Sequence, residues 1–253
     1  MNVVVPMAGL GSRFREAGFD RPKPLIPVLG RPMYSWAVES LPLSRAARLI
    51  FILLRTQPEF EELRADVLSR YSAHSPEVLD VPRLTAGQSE TVMRAEALID
   101  NDAPLLIHNA DTAFEIDDVW VDRARQERLD GALLVFRSDE ERWSYSRTND
   151  AGRVCEVREK VPISPWASTG TYWFARGRDF ARLARKQAAT RSGEKGELYV
   201  GPLYNELIAA GAQVRNFEID RLLCFGTPQD LEESLKQLAA KPARKRGTST
   251  RAN

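Results

Sequence analysis

Short apolar runs alternate along the chain with longer segments in which apolar residues return every three or four positions. The short runs are rich in aliphatic and β-branched residues, and they predict strands over residues 2–7, 48–54, 104–108, 132–137, 154–157, 171–175 and 213–219. The longer segments predict helices over residues 57–71, 89–99, 117–129, 177–191, 197–210 and 228–238. This alternation predicts a single α/β domain with a mixed, mostly parallel sheet and helices on both faces.

Composition and charge narrow the class of protein. No repeat or linker divides residues 1–240, which are predicted to be one domain. The basic residues 241–253 are predicted to be a disordered tail, with contact to RNA or lipid as the alternative. The formal net charge of +1 gives no general attraction to nucleic acid or anionic membranes. The two isolated cysteines fit a reducing compartment, so we predict a cytoplasmic protein. No apolar run approaches the ~20 residues of a membrane helix. Together with the net charge, this predicts no membrane or nucleic-acid partner.

A small turn with two glycines follows the first predicted strand. In open α/β sheets ligands bind beyond the carboxyl ends of the strands, and Gly9 and Gly11 would let backbone N–H groups approach phosphate oxygens. The turn lacks the GK[ST] of a P-loop and the third glycine of a dinucleotide fingerprint, so by itself it is equally consistent with a plain tight turn. Arg13, and Lys23 between two prolines, favour a phosphate site.

Further motifs follow this turn in a recognisable order. The first is GLGSRF with KPLIPVLGRPM, within residues 9–33, and the others are TAGQSETV at 85–92, LIHNAD at 106–111, Glu-Lys at 159–160, GTY at 170–172, GEL at 196–198 and GTPQDL at 226–231. Over about residues 2–236 the chain resembles the nucleotidylyltransferases that act on sugar 1-phosphates. It is most similar to a branch that includes capsule-associated proteins and cytidylyltransferases for phosphorylated or phosphonate acceptors.

The resemblance implies a Rossmann-like (GT-A-like) fold and a reaction that joins an NTP to a phosphate-bearing acceptor and releases pyrophosphate. The acceptor phosphate is the nucleophile, so the reaction needs in-line positioning and charge neutralisation by cationic groups and Mg²⁺. The residues implied by position in the motifs are Arg13 and Lys23 for catalysis, Ala8, Gly9, Leu10, Gly11, Ser12, Gly87, Gln88 and Asn109 for the nucleotide, and Glu159, Lys160, Gly170 and Glu197 for the acceptor.

Asp111, after the apolar strand, is the implied ligand of Mg²⁺, with capping of a turn as the alternative. The family has a second aspartate just before the late Gly-Thr, where this chain has Cys224. A thiol is a poor ligand for Mg²⁺. The nearby Asp220 could take that role or lie in a surface turn, and phosphates and water could also complete the coordination.

Several alternatives stay open at the level of sequence. The acceptor could be a hexose 1-phosphate, a small phosphonate or a phospho-amino acid, and the NTP could be CTP, UTP or dTTP, with pyrimidines favoured. A non-catalytic nucleotide-sugar-binding module is a second class, suggested by Cys224, and a glycosyltransferase is disfavoured because residues 109–111 read N-x-D rather than D-x-D. Trp143, Tyr145 and Trp166 could line an acceptor pocket or pack in the core. A homo-oligomer is compatible with the sequence.

Overall fold

A nine-stranded sheet forms the centre of the protein, whose computed structural model describes residues 1–190 and 196–240. Within these residues the strands are β1 (Asn2–Met7), β2 (Pro27–Val28), β3 (Arg31–Pro32), β4 (Arg48–Leu54), β5 (Glu77–Val81), β6 (Leu105–His108), β7 (Thr112–Glu115), β8 (Gly131–Arg137), β9 (Ser144–Thr148), β10 (Val154–Glu159), β11 (Trp166–Phe174), β12 (Val214–Glu218) and β13 (Arg221–Cys224). The α-helices of the same residues are α1 (Ser12–Glu16), α2 (Met33–Glu39), α3 (Phe60–Arg70), α4 (Gln88–Met93), α5 (Glu96–Ile99), α6 (Val119–Gln126), α7 (Gly177–Thr190), α8 (Leu203–Ala209) and α9 (Pro228–Ala240). None of these helices combines the length and apolar character needed to cross a membrane.

The sheet is mixed. β1 lies between β4 and β6 and pairs with both in parallel, and β5 continues this side in parallel beyond β4. On the other side of β6 the long strand β11 runs antiparallel and pairs with β8 and β9. β12 pairs in parallel with β8, and β10 pairs antiparallel with β9. The predicted single-domain α/β class with a mixed, mostly parallel sheet and helices is confirmed.

Each face of the sheet has its own apolar core. Val3 and Val5 of β1 pack in one cluster, and Val4 packs in the other, because successive residues of a strand point to opposite faces. Residues of α3 and α6 complete the first cluster, and residues of α4, α7 and α8 complete the second. Burial on both faces explains why the central strands are apolar nearly throughout. A third cluster around Phe14 and Phe225 packs α1 and α9 against the end of β13.

Two predicted helices differ from the structure. Residues 89–99 form the separate helices α4 and α5, which are divided at Arg94 and Ala95. The prediction of one helix over 197–210 is wrong, since the helix begins only at Leu203. The backbone of Leu198 is instead bonded to the distant residues 86 and 89, an interaction that a local pattern does not reveal.

Other boundaries were missed for related reasons. The predicted strand 171–175 belongs to β11, which begins at Trp166 and contains Gly170 with a φ of 77°. The sequence pattern also missed β5, β7, β9, β13, α1 and α2, which are short or only partly buried. Residue 191, which was the predicted end of a helix, and the predicted tail 241–253 lie outside the described residues.

Candidate active site

A cleft of about 630 Å³ opens at the carboxyl ends of β1 and β6. The two strands are parallel, with Val4 opposite Ile107, so the turn after β1 lies beside the residues that follow His108. This volume falls within the ~300–1,000 Å³ typical of small-molecule sites. The cleft is lined by most of the residues predicted from the motifs, namely Ala8, Gly9, Arg13, Gly87, Gln88, Asn109, Asp111, Glu159, Lys160, Gly170 and Glu197.

The other predicted residues near the first turn lie at the side of the cleft. Leu10, Gly11 and Lys23 line a small adjoining cavity. Ser12 begins α1 and lines neither space. The structure therefore brings the whole turn and Lys23 together, but only part of the turn lines the larger cleft.

Lys23 and Asp111 form an ion pair at the edge of the cleft. The Nζ atom of Lys23 lies 2.5 Å from Oδ2 of Asp111 and 3.1 Å from the carbonyl oxygen of Gly226. Position 11 requires glycine, because the φ of Gly11 is 61° and an added Cβ would lie 2.8 Å from Cβ of Lys23. Burial acts to raise the pKa of Asp111, but the charge and hydrogen bond of Lys23 hold this pKa below its ordinary value. Asp111 is therefore an ionised carboxylate at neutral pH.

Donors without partners surround the same turn. Within the described residues, the N–H groups of Gly9, Leu10 and Gly11 donate to no backbone or side-chain acceptor. Arg13 lines the cleft. Successive free N–H groups beside a guanidinium suit the oxygens of a phosphate.

A second group of residues joins the end of β6 to α4 and β11. The side-chain amide of Gln88 donates to Oδ1 of Asn109 at 2.5 Å, and the N–H of Asn109 donates to the carbonyl oxygen of Gly170 at 3.3 Å. Gly170 has a φ of 77°, and a Cβ at this position would lie 2.0 Å from Nδ2 of Asn109. The amides of Gln88 and Asn109 are thus held at the cleft wall by close packing against β11.

The end of β10 contributes a carboxylate and a cation. Glu159 is only 7% exposed and lines the cleft. The ammonium of Lys160 donates to the hydroxyl of Tyr199, lies 4.8 Å from the centre of that ring, and is 3.8 Å from Oε2 of Glu197. We call the part of the cleft lined by Glu159 and Lys160 the acceptor half.

The acceptor half also contains aromatic side chains. Trp143 and Tyr172 line the cleft. Tyr145 is fully buried, and Trp166 packs against the guanidinium of Arg137 at 4.5 Å, away from the cleft lining. Of the three aromatic residues considered from the sequence, one lines the cleft.

Two charged residues of the cleft were missed from the sequence. Nη1 of Arg142 lies 2.7 and 2.8 Å from the two carboxylate oxygens of Asp230, which also accepts from Thr227 at 2.7 Å. Asp230 belongs to the GTPQDL motif, but its partner is 88 positions away and no local pattern joins them. Beside them, burial and then the charges of Asp111 and Asp230 raise the pKa of Cys224 to about 12, which leaves a neutral thiol.

A comparison with known proteins agrees with this arrangement. The family model described as nucleotidyl transferase matches residues 3–240. The chain belongs to the nucleotidyl transferase family. Enzymes of this family are nucleotidyltransferases of the pyrophosphorylase type. They generally use a divalent metal ion.

Several relatives of this nucleotidyl transferase cover nearly all of it. UTP–glucose-1-phosphate uridylyltransferase AglF of Haloferax volcanii is 28% identical over 250 residues, which are 94% of this chain and 96% of that protein. Glucose-1-phosphate thymidylyltransferase of Streptomyces griseus is 25% identical over 220 residues, or 85% of this chain and 59% of that protein. The solved structure of a nucleoside-diphosphate-sugar pyrophosphorylase from Vibrio cholerae has a TM-score of 0.80 and 29% identity, and the match covers 93% of this chain and 100% of that chain.

The residues of this nucleotidyl transferase fit a Mg²⁺ site to which the protein would supply few ligands. Among residues 1–190 and 196–240 no three His, Cys, Asp or Glu side chains are grouped as metal ligands. Asp220 does not lie beside Asp111. Asp220 precedes the first residue of β13 and donates its N–H to the carbonyl oxygen of Glu115, whereas Cys224 is at the other end of β13. The ionised Asp111 is one carboxylate of the kind that holds Mg²⁺ when phosphates and water supply the other ligands.

Proposed function

We propose that this nucleotidyl transferase joins an NTP to the phosphate of an acceptor of the sugar 1-phosphate type and releases pyrophosphate. One observation carries the proposal: a single cleft has a cationic side chain at each of two positions, Arg13 beside the turn after β1 and Lys160 in the acceptor half, and Lys23 of the adjoining cavity pairs with Asp111 at the cleft edge. Two phosphorylated substrates that react with each other need such groups at two positions. The names of the relatives, which pair UTP or thymidylyl transfer with glucose 1-phosphate, support the same reaction.

In the proposed reaction an ionised oxygen of the acceptor phosphate attacks the α-phosphorus of the NTP. One phosphorus–oxygen bond forms, and the bond from the α-phosphorus to the oxygen that bridges to the β-phosphate breaks. That oxygen leaves on pyrophosphate with the bonding electron pair, and no proton transfer is needed. Arg13, Lys23 and the free N–H groups of the turn would bind the phosphates of the NTP, and Lys160 would bind the acceptor phosphate. When bound at Asp111, Mg²⁺ would neutralise further phosphate charge.

The remaining residues of the cleft are proposed to select the substrates. Gln88 and Asn109 present fixed amide groups, which suit hydrogen bonds to the edge of a nucleobase. We propose a pyrimidine NTP, in line with the uridylyl and thymidylyl transfer in the names of two relatives. The buried carboxylate of Glu159 would accept hydrogen bonds from acceptor hydroxyl groups.

A second candidate is a cytidylyltransferase that acts on a small phosphonate or phospho-amino acid. It is favoured by the position of Trp143 and Tyr172 in the same cleft as the buried Glu159. A buried carboxylate beside aromatic side chains suits an ammonium group on the acceptor.

The test is release of pyrophosphate from ATP, GTP, CTP, UTP or dTTP, each supplied with Mg²⁺ and one acceptor at a time. The acceptors are glucose 1-phosphate, 2-aminoethylphosphonate and O-phosphoserine, and mass spectrometry identifies the product. We expect turnover with a pyrimidine NTP and glucose 1-phosphate, whereas turnover only with CTP and an amine-bearing acceptor would establish the second candidate. If no combination releases pyrophosphate, both proposals are wrong.

A matched pair of lysine variants checks the assignment of the site. Lys23→Ala should reduce turnover by about a hundredfold to a thousandfold, since the loss of one donor to the charge of the transition state typically costs about 2.7–4 kcal/mol. Lys236→Ala is the control, because Lys236 pairs with Glu232 on the exposed face of α9. The turnover of the Lys236→Ala variant should equal that of the unmodified protein.

A further inference from the structure

Two segments that are distant in sequence are bonded to each other at the edge of the cleft. We call residues 84–89, which are the loop before α4 and the first two residues of that helix, the nucleotide-side loop, and residues 196–199 the acceptor-side segment. The N–H of Leu198 donates to the carbonyl oxygen of Ala86 at 3.0 Å, and the N–H of Ser89 donates to the carbonyl oxygen of Leu198 at 3.0 Å. The loop therefore cannot shift relative to the segment without breaking backbone hydrogen bonds.

Each segment carries or contacts a group that our proposed function assigns to one substrate, namely Gln88 for the nucleobase and Lys160 for the acceptor phosphate. The nucleotide-side loop carries Gln88, whose amide is bonded to Asn109 in the cleft wall. The acceptor-side segment carries Tyr199, whose hydroxyl accepts from the ammonium of Lys160. The distance between the bound NTP and the bound acceptor would thus depend on how firmly the two segments are joined.

Gln187 of α7 lies behind both segments and is bonded to each of them. Its Oε1 atom accepts from the hydroxyl of Ser89 at 2.6 Å, and its Nε2 atom donates to the carbonyl oxygen of Tyr199 at 3.0 Å. Gln187 is 3% exposed and Ser89 is 1% exposed, so neither group has water as an alternative partner, although the Ser89 hydroxyl also lies 3.2 Å from the carbonyl oxygen of Leu198. Buried polar groups that lose a partner cost more free energy than the bond itself contributes. The rest of α7 is fixed in the core through Phe180.

We infer that Gln187 is a positioning residue that holds the nucleotide-side loop and the acceptor-side segment as one unit. The inference rests on the proposed function for its effect on substrates, but the joining of the two segments is independent of it. In the unmodified protein both substrate subsites are formed before binding. Without Gln187, the first substrate to bind must order both segments, and the second substrate then binds to segments that are already ordered.

Hydrogen exchange tests the joining of the segments without any ligand. In Gln187→Leu, the backbone amides of Ser89 and Leu198 should both exchange faster by about tenfold or more, because two buried hydrogen bonds are lost. Lys186→Ala is the matched control in the same helix, since Lys186 is exposed and pairs with Glu206, and it should leave both amides unchanged. Unchanged protection in Gln187→Leu, or faster exchange in only one segment, overturns the inference.

Ligand binding tests the consequence for the substrates. The probes are a UTP analogue with a methylene group between the α- and β-phosphorus atoms, which blocks turnover, and glucose 1-phosphate. In Gln187→Leu we expect the Kd of each probe alone to rise about fivefold or more, and the Kd of the UTP analogue to return close to its normal value when glucose 1-phosphate is saturating. A general loss of stability would lower Tm and leave both Kd values of the folded protein unchanged, which would contradict the positioning role.

Two further outcomes separate this inference from the proposed function. Ser89→Ala removes the same side-chain bond from the loop side, together with the contact of that hydroxyl to the carbonyl oxygen of Leu198, and serves if Gln187→Leu does not fold, with the same pattern expected. If the unmodified protein releases no pyrophosphate while Gln187→Leu still loosens both segments, the proposed function fails and the joining role of Gln187 stands. If pyrophosphate is released and the two segments loosen separately or not at all, the proposed function stands and the inference is wrong.

Discussion

The imidazole of His108 should make the folded protein lose stability as the pH falls below neutrality. His108 is fully buried beneath the cleft. Its Nε2–H donates to the carbonyl oxygen of Thr112 at 2.7 Å, since a carbonyl can only accept, and its Nδ1 therefore accepts from the hydroxyl of Thr171 at 2.8 Å. The neutral ring thus has both hydrogen bonds satisfied, and burial disfavours a charge on it.

The size of the effect follows from the shift in pKa. Burial lowers the pKa of His108 from 6.5 to about 4, against the smaller opposing effects of the bond to Thr112 and the charge of Asp111. About one pH unit or more above 6.5 the ring is neutral in both the folded and the unfolded chain, and the pH has little effect through this residue. As the pH falls below 6.5 the unfolded chain binds a proton that the folded protein does not, which favours unfolding. The loss is about 2 kcal/mol at pH 5 and approaches about 3 kcal/mol below pH 4, from about 1.36 kcal/mol per pKa unit.

Denaturant unfolding at pH 7.5 and pH 5.0 measures this loss when the protein is compared with His108→Gln. The glutamine has no titrating group and retains an N–H that can donate to Thr112. Other titrating residues contribute equally to both proteins and cancel in the difference. We expect the unmodified protein to lose about 2 kcal/mol more than the variant between the two pH values. Equal losses would show that the folded protein accommodates a charged His108, and the reasoning from burial would be refuted.

The remaining predictions concern the cleft and the thiols. Asp111→Asn should lower the rate of pyrophosphate release by about tenfold to a thousandfold with little change in Tm, because the ionised carboxylate is lost, and an unchanged rate would contradict its assignment. Gly170→Ala should lower the free energy of unfolding by about 1–3 kcal/mol in denaturant, because its Cβ would lie 2.0 Å from Nδ2 of Asn109 and its φ is 77°; wild-type stability would show that the strand can shift freely. At pH 7.5 an alkylating reagent should label Cys155, which is exposed, at least about tenfold faster than Cys224, whose pKa burial raises to about 12. Mass spectrometry of the labelled peptides measures both rates, and equal rates would count against the enclosure of Cys224.

The strands that are buried on both faces of the sheet were predicted best from the sequence. The bounds of β1 and β4 match the predicted strands 2–7 and 48–54, because every apolar residue in them contributes to one core or the other. The turn after β1, which we propose binds phosphate, was predicted from its glycines and its position, and most residues implied by the family motifs do line one cleft. The prediction for residues 197–202 failed because their backbone bonds go to the loop at residue 86 rather than to the next helical turn.

The sequence by itself determined the α/β class, the central strands and the place of the glycine turn after β1, because local periodicity and composition report which residues are buried. Only the tertiary structure decided that Asp230 pairs with Arg142, that Asp220 lies away from Asp111, and that Gln187 joins two segments of the cleft. These contacts depend on the order and register of strands that are far apart in the chain. A side chain that bonds across such a distance leaves no local pattern, so its partner is known only when the packed elements bring the two together.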